Sequence, residues 1–194
     1  MLTNRFDDAL AYASRIHRDQ RRKGTDIPYI SHLLGTAAIA LENGADEDQA
    51  IAALLHDAVE DQGGSARLAE IRARFGNRVA EMVDHCTDTD IEPKPPWRAR
   101  KEAYIASLAF KPTASLAVSL ADKTHNAGAI VADLAAVGDG VWERFTGKRD
   151  GSLWYYRSLV AAFRAKLGGV ATERFAALVD DMEGRPDKQR LTTQ

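Results

Sequence analysis

The sequence holds a single cysteine, Cys86, in 194 residues, so no disulfide can close within the chain and a reducing compartment suits it. Basic residues are not in excess. Twenty-six Lys and Arg against 28 Asp and Glu leave a formal charge of −2, which argues against a nucleic-acid or anionic-membrane binder. A small anionic ligand stays compatible, because a local basic pocket vanishes in a balanced total. No apolar run approaches the roughly 18 residues of a membrane span, and the N-terminus has no apolar core like that of a signal peptide. The expectation is a cytoplasmic protein without membrane or nucleic-acid partners. Whether it assembles as a homo-oligomer the sequence leaves open. Proline is scarce, and three of the six fall within "CTDTDIEPKPPW", which reads as a loop.

What is present is helical periodicity. Phe6, Ala9, Leu10, Ala13 and Ile16 predict a helix over 4–20. Ser31 is placed to cap one through about Leu41, ended by Asn43-Gly44. Asp46 can cap the next, which runs to Gly63-Gly64, and Ser65 opens another that ends at Gly76. Further helices are expected over 77–85, 97–109, 113–134, 152–167 and 171–183. No segment alternates as a strand would. The fold class is all-α: one domain over 1–183 with a polar tail, 184–194, and no room after it for a synthetase domain.

The stretch "ALLHDAVED", 53–61, interrupts an apolar helix with His56, Asp57, Glu60 and Asp61. At about 100° per residue the apolar side chains gather on one side and these four on the other. A solvated polar face is one reading. Against it, no Lys or Arg on this helix offsets three like charges, and a bound divalent cation accepting imidazole and carboxylate ligands would do so. One helix supplies only part of a coordination shell. His32, expected in the first turn after Pro28, is a structural histidine or a ligand, and the nearby Arg21, Arg22 and Lys23 suit a phosphate substrate. In "SLAVSLADKTHNAG", 115–128, Asp122 lies in an apolar run where a lone carboxylate is costly to bury. A core salt bridge and a metal ligand satisfy it equally.

Taken together, "RRKGTDIPYISH" at 21–32, "LLHDAVED" at 54–61, "FGNRVAEMV" at 75–83 and "LADKTHN" at 120–126 resemble, in order, the motifs of HD-domain metal-dependent phosphohydrolases. More narrowly they resemble the small alarmone hydrolases related to the Rel/SpoT hydrolase domain. "WRARKEAYI" and "LWYYRSL" extend the likeness over about 5–165. The resemblance implies an HD-domain helical bundle with its metal site between central helices. It implies one ion, usually Mn2+, held by His32, His56, Asp57 and Asp122, with Glu60 and Asp61 handling the attacking water. It also implies Asn126 near the phosphates, and Arg22 and Lys23 toward the base and phosphates of a guanine nucleotide, guanosine 3′,5′-bis(diphosphate) (ppGpp), cleaved at its 3′ end to GDP and pyrophosphate.

The chemistry agrees, since a pyrophosphate ester needs its charge masked before water can approach. One departure is Gly128, where such relatives commonly carry Arg, and the lost guanidinium is expected to weaken the phosphate grip or alter substrate choice. Arg98, Arg100 and Lys101 are the compensating candidates, or else a solvated face. Other substrates for the same site are NADPH through its 2′-phosphate, or an adenosine alarmone, and a non-catalytic alarmone-binding module is a further reading. Tyr29 is expected to pack or line the pocket, Trp97 to cover it from a lid over 88–97, and Tyr155 or Tyr156 to pack or face a nucleotide. His125 is expected to support the site without ligating, and His17 to support the basic cluster. His85 and Cys86 carry no signal.

Overall fold

Thr3 starts the first helix, its hydroxyl accepting the Arg5 N–H at 3.3 Å. From there the computed structural model, which describes residues 1–89 and 93–184, is helical throughout: α1 (Asn4–Ile16), α2 (Ile30–Glu42), α3 (Glu47–Leu55), α4 (Ala58–Gln62), α5 (Gly64–Phe75), α6 (Asn77–Cys86), α7 (Trp97–Leu108), α8 (Thr113–Val137), α9 (Lys148–Lys166) and α10 (Gly169–Met182), with a 3₁₀ segment at Gly138–Arg144. Among the described residues the only β pairing is an isolated bridge between Arg21 and Pro28, and no helix is long and apolar enough to cross a membrane.

Several expected boundaries move, each for a local reason. α1 stops at Ile16 and not at 20, because the chain folds back in a tight loop closed by Arg22 N–H to Ile27 C=O and Tyr29 N–H to Gln20 C=O. α2 starts one residue before Ser31 and has no side-chain cap. Asp46 does cap α3, in a reciprocal box with Gln49 that satisfies two N-terminal donors. α9 begins at Lys148, earlier than expected, and the 3₁₀ segment had no signal in the periodicity. Residues 185–194 of the expected tail and 90–92 of the expected lid lie outside the described residues.

Two apolar clusters result. One joins α1 to α6 and takes Val118 and Ala121 from α8. The other joins α7, α9, α10 and the 3₁₀ segment, and takes Leu116, Leu120, Ala127 and Ile130. With 25 residues, about 38 Å long at the standard rise, α8 therefore runs between both cores. A helix buried on opposite sides must satisfy its polar groups internally. Ser115 meets His85, Ser119 meets Tyr104, and Thr124 donates to the Leu120 carbonyl. Asp122 sits halfway along, at the seam.

Candidate metal centre and adjoining cavity

The helix expected to run unbroken through 46–62 instead breaks at His56–Asp57, between α3 and α4. Asp57 takes φ −94° and ψ −2°, the sparsely populated bridge region. Adjacent residues of a regular helix diverge by about 100°. The break lets both side chains aim at one point, with His56 Nε2 3.0 Å from Asp57 Oδ2. Wheel geometry was thus the wrong frame for this pair.

Four ligand-type atoms converge there from three places. His32 Nε2, from the first turn of α2, lies 3.2 Å from His56 Nε2 and 3.5 Å from Asp57 Oδ2. Asp122 Oδ1, from α8, lies 3.2 and 3.4 Å from the His32 and His56 nitrogens. Ligands at about 2.1 Å from a common ion stand about 3.0–3.4 Å from their neighbours, so the spacing fits a divalent cation. The histidine tautomers fit too. His56 Nδ1 is 2.9 Å from the Ala53 carbonyl, which can only accept, so in the neutral ring Nε2 carries the free lone pair. His32 Nδ1 is 2.9 Å from His125 Nδ1, and His125 is held neutral, its pKa pushed down to about 4 by burial and by the His32 charge.

Without an ion the charges pair among themselves. Burial pushes His56 down, yet Asp57 and Asp122 outweigh it and hold the imidazole well above its ordinary value. Burial likewise pushes Asp57 and Asp122 up; His56 for the first and Lys123 for the second reverse this, keeping both ionised. Lys123 Nζ donates to Asp122 Oδ2 at 2.6 Å.

Beside this cluster opens a cavity of about 320 Å³ lined, among the described residues, by Arg22, Lys23, Arg100, Lys101 and Lys123 against one acid, Glu60. Asn126 bridges the two, donating to Asp122 Oδ1 at 2.6 Å and accepting from Arg22 at 2.8 Å. Asp88 holds Arg100 and Lys101 from behind. Arg98 is not on this wall; it caps the Trp154 ring. Tyr155 and Tyr156 both line the cavity, and Trp97 lines it while lying on Gly147, where an added Cβ would come within 2.5 Å of the indole. A second lobe of about 410 Å³ continues past Arg22, Lys23 and Asn126 toward Ile27 and Arg144.

The two acids part company. Glu60 faces the cavity and pairs with Lys94 at 3.0 Å. Asp61 does not line it; Gln20 donates to its Oδ2 at 2.8 Å, and the packing around it, then the Asp57 charge, push its pKa up to about 6. Gly128 is not on the cavity wall either. It borders a separate cleft between α8 and α10, where an added Cβ would meet nothing within 4 Å.

The bond that Tyr29 makes to the cluster and the role of Gly35 have no counterpart in the sequence reading, where Tyr29 is expected only to pack or line the pocket. The Tyr29 hydroxyl donates to Asp57 Oδ2 at 2.5 Å, its ring stacked on His17. Gly35 gives His125 room: a Cβ there would come within 2.1 Å of the imidazole. A glycine inside the otherwise apolar α2 was the available sign of a close approach.

An all-helical domain with two histidines and two aspartates gathered at its central seam defines the class, and the family follows from comparison. The HD domain profile matches residues 9–153, and the chain belongs to that family, whose hydrolases are metal-dependent. Among its relatives, the guanosine-3′,5′-bis(diphosphate) 3′-pyrophosphohydrolase MESH1 of Xenopus tropicalis is 37% identical over 61% of this chain and 65% of its own length. That of Drosophila melanogaster is 34% identical over 63% and 67%. The chain thus spans about two thirds, or slightly less, of these relatives. A solved structure described as a metazoan ortholog of SpoT that hydrolyzes ppGpp superimposes with a TM-score of 0.75 at 27% identity, over 95% of this chain and 98% of that one.

Proposed function

We propose that the protein hydrolyses ppGpp at its 3′ end, giving GDP and pyrophosphate, with Mn2+ as its ion. The observation that carries this reading is the direct join, through Asn126, of a two-histidine, two-aspartate cluster to a cavity walled, among the described residues, by five cations and one carboxylate. The two named relatives and the superimposable structure point to the same substrate.

His32, His56, Asp57 and Asp122 would hold the ion, which when bound supplies Lewis acidity and lowers the pKa of a water. The remaining work falls to the chain. Arg22 and Lys23, from one side, and Arg100, Lys101 and Lys123, from the other, mask the phosphate charge that would repel an incoming oxygen. Asn126 turns its amide toward Asp122 and its carbonyl toward Arg22, so a phosphate drawing on Arg22 is registered against the cluster. The water oxygen bonds to the phosphorus bearing the ester, and the P–O3′ bond breaks with its electron pair going to the 3′ oxygen, which is protonated. Glu60, the one acid on the cavity wall among the described residues, moves the proton. Asp61 acts with it from outside that wall, as the second carboxylate of the pair.

The test is incubation of chelator-stripped protein with ppGpp, with and without Mn2+, and separation of products by ion exchange. GDP and pyrophosphate are expected only with metal, and an Asp57→Ala protein should lose at least about a hundredfold in rate, the several kcal/mol a metal contributes. Stepwise release of single phosphates, or full activity in the metal-free or Asp57→Ala protein, overturns the reading.

A further inference from the structure

Three side chains beside the candidate site form a chain of hydrogen bonds whose direction is forced. Asp61, as a carboxylate, can only accept, so the Gln20 group 2.8 Å from its Oδ2 is the amide nitrogen. That turns the Gln20 carbonyl oxygen the other way, where two partners crowd it at 2.6 Å each: His17 Nδ1 and Gln62 Nε2. A carbonyl oxygen only accepts, so His17 carries its proton on Nδ1. The neutral ring then has a bare Nε2, and this atom is buried without a partner among the described residues. His17 is fixed in turn by its stack on Tyr29, 5.4 Å between centroids at 19°, and Tyr29 is the donor to Asp57. Rotating the Gln20 amide by half a turn would set its oxygen against the Asp61 carboxylate, two acceptors face to face. The amide has one stable setting.

We infer that Gln20, oriented by His17 and Gln62, is a positioning residue that fixes the Asp61 carboxylate beside the site, tying Oδ2 and leaving Oδ1 as the oxygen free for proton transfer. The inference rests on the proposed hydrolysis for its kinetic consequence, but not for its structural one. None of the three residues faces the cavity, so none is needed to hold substrate.

The experiment compares wild type with Gln20→Met, which keeps the length and removes both polar ends, and His17→Phe, which keeps the stack and removes the donor. With Mn2+ bound, kcat on ppGpp should fall about tenfold in Gln20→Met, the worth of one hydrogen bond to a charged group, and about fivefold in His17→Phe, the worth of a neutral one, while KM stays within twofold and Mn2+ binding is unchanged. A role in packing alone would lower the melting temperature and leave kcat intact, and that result overturns the inference. A crystal structure of Gln20→Met gives a readout free of turnover: Asp61 displaced by more than about 0.5 Å, the tolerance of a working site, supports the inference, and an unmoved Asp61 overturns it. A wild type inactive on ppGpp would overturn the proposed reaction instead, with the position of Asp61 still deciding the role of Gln20.

Discussion

Replacing Gly35 by alanine sets two effects of opposite sign against each other. In the interior of an exposed helix the change stabilises by about 0.5–1 kcal/mol, because glycine loses more backbone freedom on folding. Here the new Cβ would lie 2.1 Å from Cδ2 and 2.2 Å from Nε2 of His125, where ordinary contact begins at 3.4 Å. The ring has to retreat by roughly 1.3 Å, or α2 and α8 have to part. Forced repacking of this kind costs about 1–3 kcal/mol, so the expected net is a loss of up to roughly 2.5 kcal/mol. That corresponds to as much as about 10 °C in melting temperature for a chain of this size. Either movement also takes the partner from His32 Nδ1, and loss of such an outer contact lowers metal affinity about 10–100-fold. Calorimetric titration with Mn2+ and a metal-free thermal scan measure the two quantities. Gly128→Ala is the matched control, since its Cβ meets open space in α8, and it should gain the ordinary increment. A Gly35→Ala protein as stable as Gly128→Ala, with unchanged Mn2+ affinity, would refute the reasoning.

Two further outcomes follow from the site's charges. Because Asp57 and Asp122 hold His56 protonated in the metal-free protein well above its ordinary pKa, an ion must displace that proton from Nε2. Mn2+ affinity should therefore strengthen as pH rises through neutrality and level off only above the raised His56 pKa, with proton release visible as a buffer-dependent heat; affinity independent of pH between about 6 and 8, from near the ordinary histidine value of about 6.5 upward, would count against this. Tyr29→Phe removes the donor to Asp57 Oδ2 and should weaken Mn2+ binding about tenfold, as outer contacts do, with the stack on His17 retained; undiminished binding by titration would show that the hydroxyl does not support the centre.

Much of this arrangement was legible before any coordinates, and the parts that were not share a cause. Asp46 could be read as a cap because capping is local: the side chain bonds a nitrogen three residues on. His32, His56, Asp57 and Asp122 could be named as a group through family motifs, but periodicity alone placed His56 and Asp57 on an unbroken helix. The turn between α3 and α4 that brings them together comes from tertiary demand, which no window of apolar spacing reports. Gln20 carries no sequence signal of its own. Its meaning lies in three partners, two of them more than 40 positions away. Gly128 is a case in which a motif and its surroundings differ: the absent guanidinium implies a weaker phosphate grip or a changed substrate, while the residue itself borders a different cleft.

The crowd of cations in the cavity has a kinetic side. Arg22, Lys23, Arg100, Lys101 and Lys123 are drawn to phosphate oxygens without regard to what those oxygens are esterified to. On the proposed reaction, cutting the P–O3′ bond frees pyrophosphate, a compact and highly charged fragment, inside the same ring of positive charge that captured the nucleotide. On that reaction the binding strength that speeds capture would act as a brake at the exit, and added pyrophosphate is expected to slow turnover.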